Sequence, residues 1–174
     1  MIHSFSNGSV ELDHQGSLIR LVYIRQGNPG EIALNSKLHV VRHGKRASIK
    51  PTPIFESHCV AMGLSIRRMM SAAGVNYDGR ARKGNRLVAM FGPVATAMTI
   101  YWPRRYGKKS PEHLEGLPFG DVDAVHKAMF DGALEASGVL EDDGQIIEES
   151  TRKRFDKRNP RIACAVWRTE PEYD

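Results

Sequence analysis

Asp121, Asp123, Lys127 and Asp131, followed by Glu141, Asp142 and Asp143, crowd carboxylates around a single ammonium in one short stretch. Such a set suits divalent-metal chemistry on a phosphodiester: hard oxygen ligands hold the ion and a cation meets the phosphate. From Glu112 to Glu149 there are eleven acidic residues and one cation, Lys127. The flanks reverse that balance. Asn76 to Lys109 carries eight Arg and Lys against Asp78 alone, and Arg152 to Arg161 carries six against Asp156. Charge segregated in this way suggests basic surfaces that hold a polyanion and carboxylates that hold the metal which cuts it.

Asp123, Lys127 and Asp131 recur every four residues, so on a helix they share one face. Taken alone, that spacing fits a solvent-facing ion-pair row better, with Lys127 simply pairing Asp123 or Asp131. Asp121 just before the row and the Asp142–Asp143 pair just after the helix favour the metal reading. A helix of about 14 residues is ~21 Å long, and Gly138 to Asp143, extended and doubling back, recovers ~17 Å. Asp143 is therefore expected beside Asp121 and Asp123. Oxygen ligands without a nearby His or Cys pair favour Mg²⁺, with Mn²⁺ as a substitute, over zinc. Lys127 would then contact the scissile phosphate or the charge developing on it.

The elements that must position these groups can be read from periodicity. Leu18 to Ile24 is β-rich and reads as a first strand. Asn35 to Ser48, with His39, Arg42, His43, Lys45 and Arg46, fits a surface loop or hairpin. Pro53 opens a helix to about Ala73 that Gly74 stops. Asn76 to Asn85 is a basic loop without periodicity. Val94 to Trp102 alternates as a strand with both faces covered. Pro103 to Gly120 is a long, cation-rich connection of the kind that is usually functional or disordered. Asp121 or Asp123 caps the next helix, whose stripe of Val122, Val125, Met129 and Ala133, with Phe130 and Leu134, ends at Gly138. Ile146 to Phe155 and Arg161 to Trp167 close the chain as strands. The expected fold class is α+β: a mixed sheet of about four strands with two main helices packed on it, in one domain whose residues 1–17 are poorly ordered.

Composition sets outer limits. The 174 residues suffice for one domain with a real core, and 41% hydrophobic and 26% charged content are globular values. No apolar run reaches the roughly 20 residues of a membrane span, and Met1 to Gly16 lacks the pattern of a signal peptide, which points to the cytoplasm. Cys59 and Cys164 are isolated in sequence, as buried small hydrophobes would be, and unlike a zinc knuckle or redox pair. The net charge of +5 and pI near 9.4 favour a nucleic-acid partner.

The run Asp121-Val-Asp123-Ala-Val-His-Lys127-Ala-Met-Phe-Asp131, then Gly138-Val-Leu-Glu-Asp142-Asp143-Gly-Gln-Ile, closely resembles the RusA family of Holliday-junction resolvases, found in bacteria and often carried by prophages. The family pattern is Asp-x-Asp-Asn, Lys four residues after the second Asp, Asp four further on, then Gly and an Asp-Asp pair leading into a strand. The match runs from Gly120 to about Ile147, with one extra residue between Asp131 and Gly138. Ala124 replaces the family Asn, and Gly120 stands where a basic residue is often found. The resemblance implies a homodimer with two active sites and Mg²⁺-dependent, paired symmetric cleavage at a four-way DNA junction, in recombination and repair. Carried over by position, Asp121, Asp123 and Asp143 bind metal, Asp142 is a further candidate, and Lys127 is the catalytic lysine.

Arg104, Arg105, Lys108 and Lys109 precede the carboxylates, and Arg152, Lys153 and Arg154 follow them. With Arg42, Lys45 and Arg46 they are the candidates for holding the DNA backbone. Tyr106 and Phe119 are candidates for stacking at an open junction, although core packing is the commoner fate of an aromatic. His39 and His43 have no third ligand nearby, and Gly44-Lys45-Arg46 lacks the glycine spacing of a phosphate loop. Two other functions fit the same residues: a branched-DNA-binding protein without the chemistry, separated by binding without nicking, and a nuclease acting mainly on forks and flaps, separated by relative rates on those substrates.

Overall fold

The computed structural model describes residues 1–6, 8–13, 18–23, 38–43, 46–77, 79–80, 87–118 and 122–170. Ten strands are seen among them: β1 (Ile2–Phe5), β2 (Gly8–Leu12), β3 (Leu18–Tyr23), β4 (Leu38–His43), β5 (Arg46–Pro51), β6 (Gly79–Arg80), β7 (Leu87–Val88), β8 (Val94–Trp102), β9 (Ile146–Phe155) and β10 (Arg161–Arg168). Six of them form one mixed sheet in the order β1-β2-β3-β10-β8-β9. All its pairs are antiparallel except β8–β9, which run parallel from Val94↔Ile146 to Trp102↔Phe155. The fold is α+β as expected, but the sheet has six strands rather than about four. The two strands not anticipated come from the N-terminal segment expected to be poorly ordered. Both are short and carry little periodic signal of their own; β2 is held by pairing to β3, and β1 by pairing to β2.

Helix α1 (Pro53–Ala72) begins where the sequence implies: the Thr52 hydroxyl accepts from the Phe55 N–H at 3.3 Å and Pro53 occupies the first turn. Its stop at Gly74 is left-handed, φ 80°. A second helix is continuous from α2 (Val122–Lys127) through a π-helical stretch (Ala128–Leu134) into α3 (Glu135–Ser137), and ends on left-handed Gly138, φ 75°. A π-helical turn holds one residue more than an α-turn. With this wider turn in the helix, Val125, Met129, Phe130, Ala133 and Leu134 all stay in the core.

Both helices lie over one sheet face. Val94, Met98, Ile100 and Trp102 of β8 meet Ile162, Cys164 and Val166 of β10, and Ile19 and Leu21 of β3 extend the stripe. The opposite face of β8 was expected to be covered. Its Ala97 and Thr99 are instead half-buried and line a shallow concavity with Ala163 and Ala165. Both cysteines are buried and outside any disulfide, and burial pushes the Cys164 thiol up to about 12. The hairpin expected around Asn35 to Ser48 is present as β4–β5; Lys45 and most of the Asn76 to Asn85 loop lie outside the described residues. No helix among the described residues is long and apolar enough to cross a membrane.

The helices approach closely because small residues line the contact. A Cβ on Gly63 of α1 would lie 2.6 Å from the Ala136 Cβ, and one on Gly132 would lie 2.5 Å from Cys59. Gly63→Ala should therefore lower stability by about 1–3 kcal/mol through overpacking, against a helix-propensity gain of about 1 kcal/mol. Adding Ala136→Gly should recover part of that loss. Chemical denaturation of the two single variants and the double checks this, and purely additive effects would contradict the contact.

Candidate metal centre and basic surfaces

The chain leaves the second helix at Gly138 and is stitched to the segment before β8: the Ala89 N–H donates to Gly138 O at 2.8 Å and the Met90 N–H to Val139 O at 2.9 Å. It then turns into β9 through a 3₁₀ turn, Asp143–Gln145, capped by Asp142, whose Oδ1 accepts from the Gly144 N–H at 2.9 Å. The Gln145 amide closes the same turn. Its Oε1 accepts from the N–H of Glu141 (2.6 Å) and of Asp142 (3.2 Å), and its Nε2 donates to the carbonyls of Gly92 (2.8 Å) and Met90 (3.3 Å).

From the end of the helix, Glu135 reaches this turn and its Oε1 accepts from the Asp143 N–H at 3.1 Å. Oxygens of Glu135, Asp142 and Asp143 all lie within 4.8 Å of one another, with Glu135 half-buried and the two aspartates exposed. Three clustered carboxylates repel; a hard divalent cation removes that repulsion and accepts this all-oxygen donor set with water completing the shell. The residues fit Mg²⁺ or Mn²⁺.

Asp123 is elsewhere. It is the second residue of α2, twelve residues before Glu135, roughly 18 Å along a helix at 1.5 Å per residue and slightly less through π geometry. Asp143 therefore meets the helix at Glu135, toward the end away from the backbone of Asp123, whereas the length estimate from the sequence brings it back to the helix start. The cause is the parallel pairing of β8 and β9, which makes β9 begin level with Val94. Asp121 lies outside the described residues, and Asp131 falls in the π-helical stretch. Lys127 closes α2 between the two ends, half-buried.

A depression of about 280 Å³ runs between this helix and β9, lined by Asp143, Phe130, Ile147, Glu148, Glu149 and His126. The His126 ring lies 4.4 Å from that of Phe130, and its Nε2 is 2.8 Å from Glu149 Oε2. Glu135, Gln145, His126 and Glu149 were given no role by sequence reasoning. For Gln145 a signal existed: Asp142-x-x-Gln145 has the spacing of a capping box.

The cations gather at the other end of the parallel pair, near Trp102↔Phe155, about 26 Å from Val94 at 3.3 Å per residue. The connection after β8 is folded back on itself, with Arg105 bridged to Pro118 and the Tyr106 N–H donating to Leu117 O. The Arg105 guanidinium lies 4.2 Å from the Phe155 ring centroid, and Lys153 Nζ 6.0 Å from that of Tyr106. Arg104, Lys108 and Lys109 are exposed. Strand alternation divides the basic run of β9: Lys153 shares the face of Ile100, while Arg152 and Arg154 pair with Thr99 and Tyr101 on the outer face. Arg161 lies over Tyr101 and bonds Asp156 Oδ2 at 2.6 Å, which together with the Asn159 and Arg158 N–H groups holds the Asp156 carboxyl below its usual range. Arg42 and Arg46 belong to the β4–β5 hairpin.

A protein-family model described as Endodeoxyribonuclease RusA matches residues 68–166, more than half of the chain. The matched stretch contains β8, the whole second helix, the acidic turn, β9 and most of β10. No curated protein matches the chain.

Mutual repulsion in the acidic turn has a measurable sign. In chelator, Asp143→Asn should be as stable as wild type or more stable, by up to about 0.5 kcal/mol, because a charge is lost while the backbone bond to Glu135 stays. Mg²⁺ should raise the melting temperature of wild type more than that of the variant. Equal Mg²⁺ shifts in thermal unfolding would argue against Asp143 as a ligand.

Proposed function

The chain belongs to the RusA family of endodeoxyribonucleases, and we propose that it is a Mg²⁺-dependent, structure-selective endodeoxyribonuclease that resolves Holliday junctions by paired symmetric nicks. The observation that carries this reading is the convergence of Glu135, Asp142 and Asp143 into an all-carboxylate donor set inside the matched domain. Mg²⁺, or Mn²⁺ in its place, supplies a Lewis acid at the phosphate and lowers the pKa of a water when bound. Asp121, Asp123 and Asp143 are the proposed metal carboxylates, with Asp142 and Glu135 completing the donor set beside Asp143. Lys127 presents its ammonium to the charge that develops on the phosphate. Arg104, Arg105, Lys108, Lys109 and Lys153 hold the DNA backbone from the basic end of β8 and β9, Arg152 and Arg154 add cations on the outer face, and Arg42, Lys45 and Arg46 do so from the hairpin region.

The separation of Asp123 from Asp143 along one helix bears on how such a site is completed. If both serve one catalytic centre, they come from two protomers of a homodimer. Two-fold symmetry then generates two equal centres, as needed to nick two strands of like polarity.

Asp123→Asn and Asp143→Asn should each reduce cleavage of a four-way junction by roughly a hundredfold or more while leaving its binding intact. Mixing the two inactive proteins offers a sharper test. In a mixed dimer with shared centres one centre receives both substitutions and the other none, so nicking of one strand returns. A mixture as inactive as its parents, although mixed dimers have formed, would place each centre within one protomer. Cleavage by Asp143→Asn at the wild-type rate would overturn the catalytic reading itself, and junction binding by wild type without nicks would favour a non-catalytic binder.

A further inference from the structure

The acidic turn gathers carboxylates that repel one another. Glu141, Asp142 and Asp143 are consecutive, Glu135 adds a fourth carboxylate and Glu148 follows in β9. Their repulsion pushes the turn away from the sheet and from the helix end, yet it is folded tightly enough to bring three oxygens within 4.8 Å. An uncharged group can hold it without adding to the repulsion.

Gln145 has the chemistry for that task. One amide accepts two N–H groups from the acidic turn, those of Glu141 and Asp142, and donates two hydrogens to carbonyls on the other side, Gly92 and Met90. Its full capacity of two lone pairs and two N–H donors is spent across the gap between the turn and the segment leading into β8. Glu in its place keeps the acceptor but turns a carboxylate toward two carbonyls. Lys keeps donors and loses the acceptor. Asn is one methylene shorter. Gln145 is half-buried, which limits competition from water for these bonds.

We propose that Gln145 is a positioning residue for the metal centre: its amide clamps the Asp142–Asp143 turn to the Met90–Gly92 segment and so fixes the aspartate carboxylates in ligating geometry before any ion arrives. The clamp acts on the backbone of the turn and touches neither DNA nor metal. Glu135 acts with it from the helix side by holding the Asp143 N–H. The inference rests on the proposed role of Asp143 as a metal ligand.

Metal uptake measured without DNA tests it. Mn²⁺ alone is titrated into the intact protein, with free Mn²⁺ read by electron paramagnetic resonance, for wild type, Gln145→Met and Thr52→Ala. The last variant removes the α1 cap, far from the turn in sequence and outside the site, and serves as a control destabilised for another reason. Gln145→Met should bind Mn²⁺ about 10- to 100-fold more weakly, Thr52→Ala should bind as wild type does, and raising Mg²⁺ should restore junction cleavage to Gln145→Met. Unchanged Mn²⁺ affinity in Gln145→Met, an equal loss in Thr52→Ala, or no Mn²⁺ uptake by wild type overturns the proposal. Should Gln145→Met not fold, Gln145→Glu carries the same comparison, with retained acceptor bonds and lost donor bonds. A wild type that binds Mn²⁺ tightly but never cuts a junction would remove the resolvase reading and leave the clamp standing.

Discussion

The parallel pairing of β8 with β9 is the constraint on which the other features depend. Antiparallel neighbours can be joined by a tight turn, whereas parallel neighbours need a crossover that returns the chain to the starting end of the sheet. Here that crossover comprises the basic connection after Trp102, the second helix and the acidic turn. Its direction fixes the electrostatic layout. Cations that follow β8 and those late in β9 share one end of the pair, and the carboxylates that precede β9 are delivered to the other.

Close helix packing keeps that crossover in register. With Gly63 against Ala136 and Gly132 against Cys59, the second helix cannot slide along or rotate on α1 without collision. Through the π-helical stretch the helix keeps its apolar stripe inward and delivers Glu135 to the Asp143 N–H. Beyond the helix, backbone pairing of Gly138 and Val139 with Ala89 and Met90 and the Gln145 amide carry the same order into the turn. The backbone pairing and the Gln145 amide are uncharged, which suits a region of clustered carboxylates.

Much of this was legible in the residues. Strand β8 alternates over its full length, Pro53 and Gly74 bracket α1, and the string from Asp121 to Ile147 carries enough charged positions to indicate both a chemistry and a family. The parts that were not legible depend on partners distant in sequence. β1 and β2 are short, and they are tied to the sheet through the pairing of β2 with β3 and of β1 with β2. The separation of Asp143 from Asp123 follows from which strand β9 pairs with, in which direction, and helix and loop lengths alone allowed the opposite answer. Gln145 shows a capping spacing in the sequence, but its carbonyl partners more than fifty residues away do not.

The central claim is that this carboxylate-bearing fold cuts branched DNA by metal-dependent hydrolysis. Strand-resolved cleavage of a synthetic four-way junction and a matched linear duplex, with Mg²⁺ and with chelator, tests it most directly. The account predicts symmetric nicks in two strands of like polarity, in the junction alone and only with Mg²⁺. Equal cutting of the linear duplex, or nicking that persists in chelator, would contradict it.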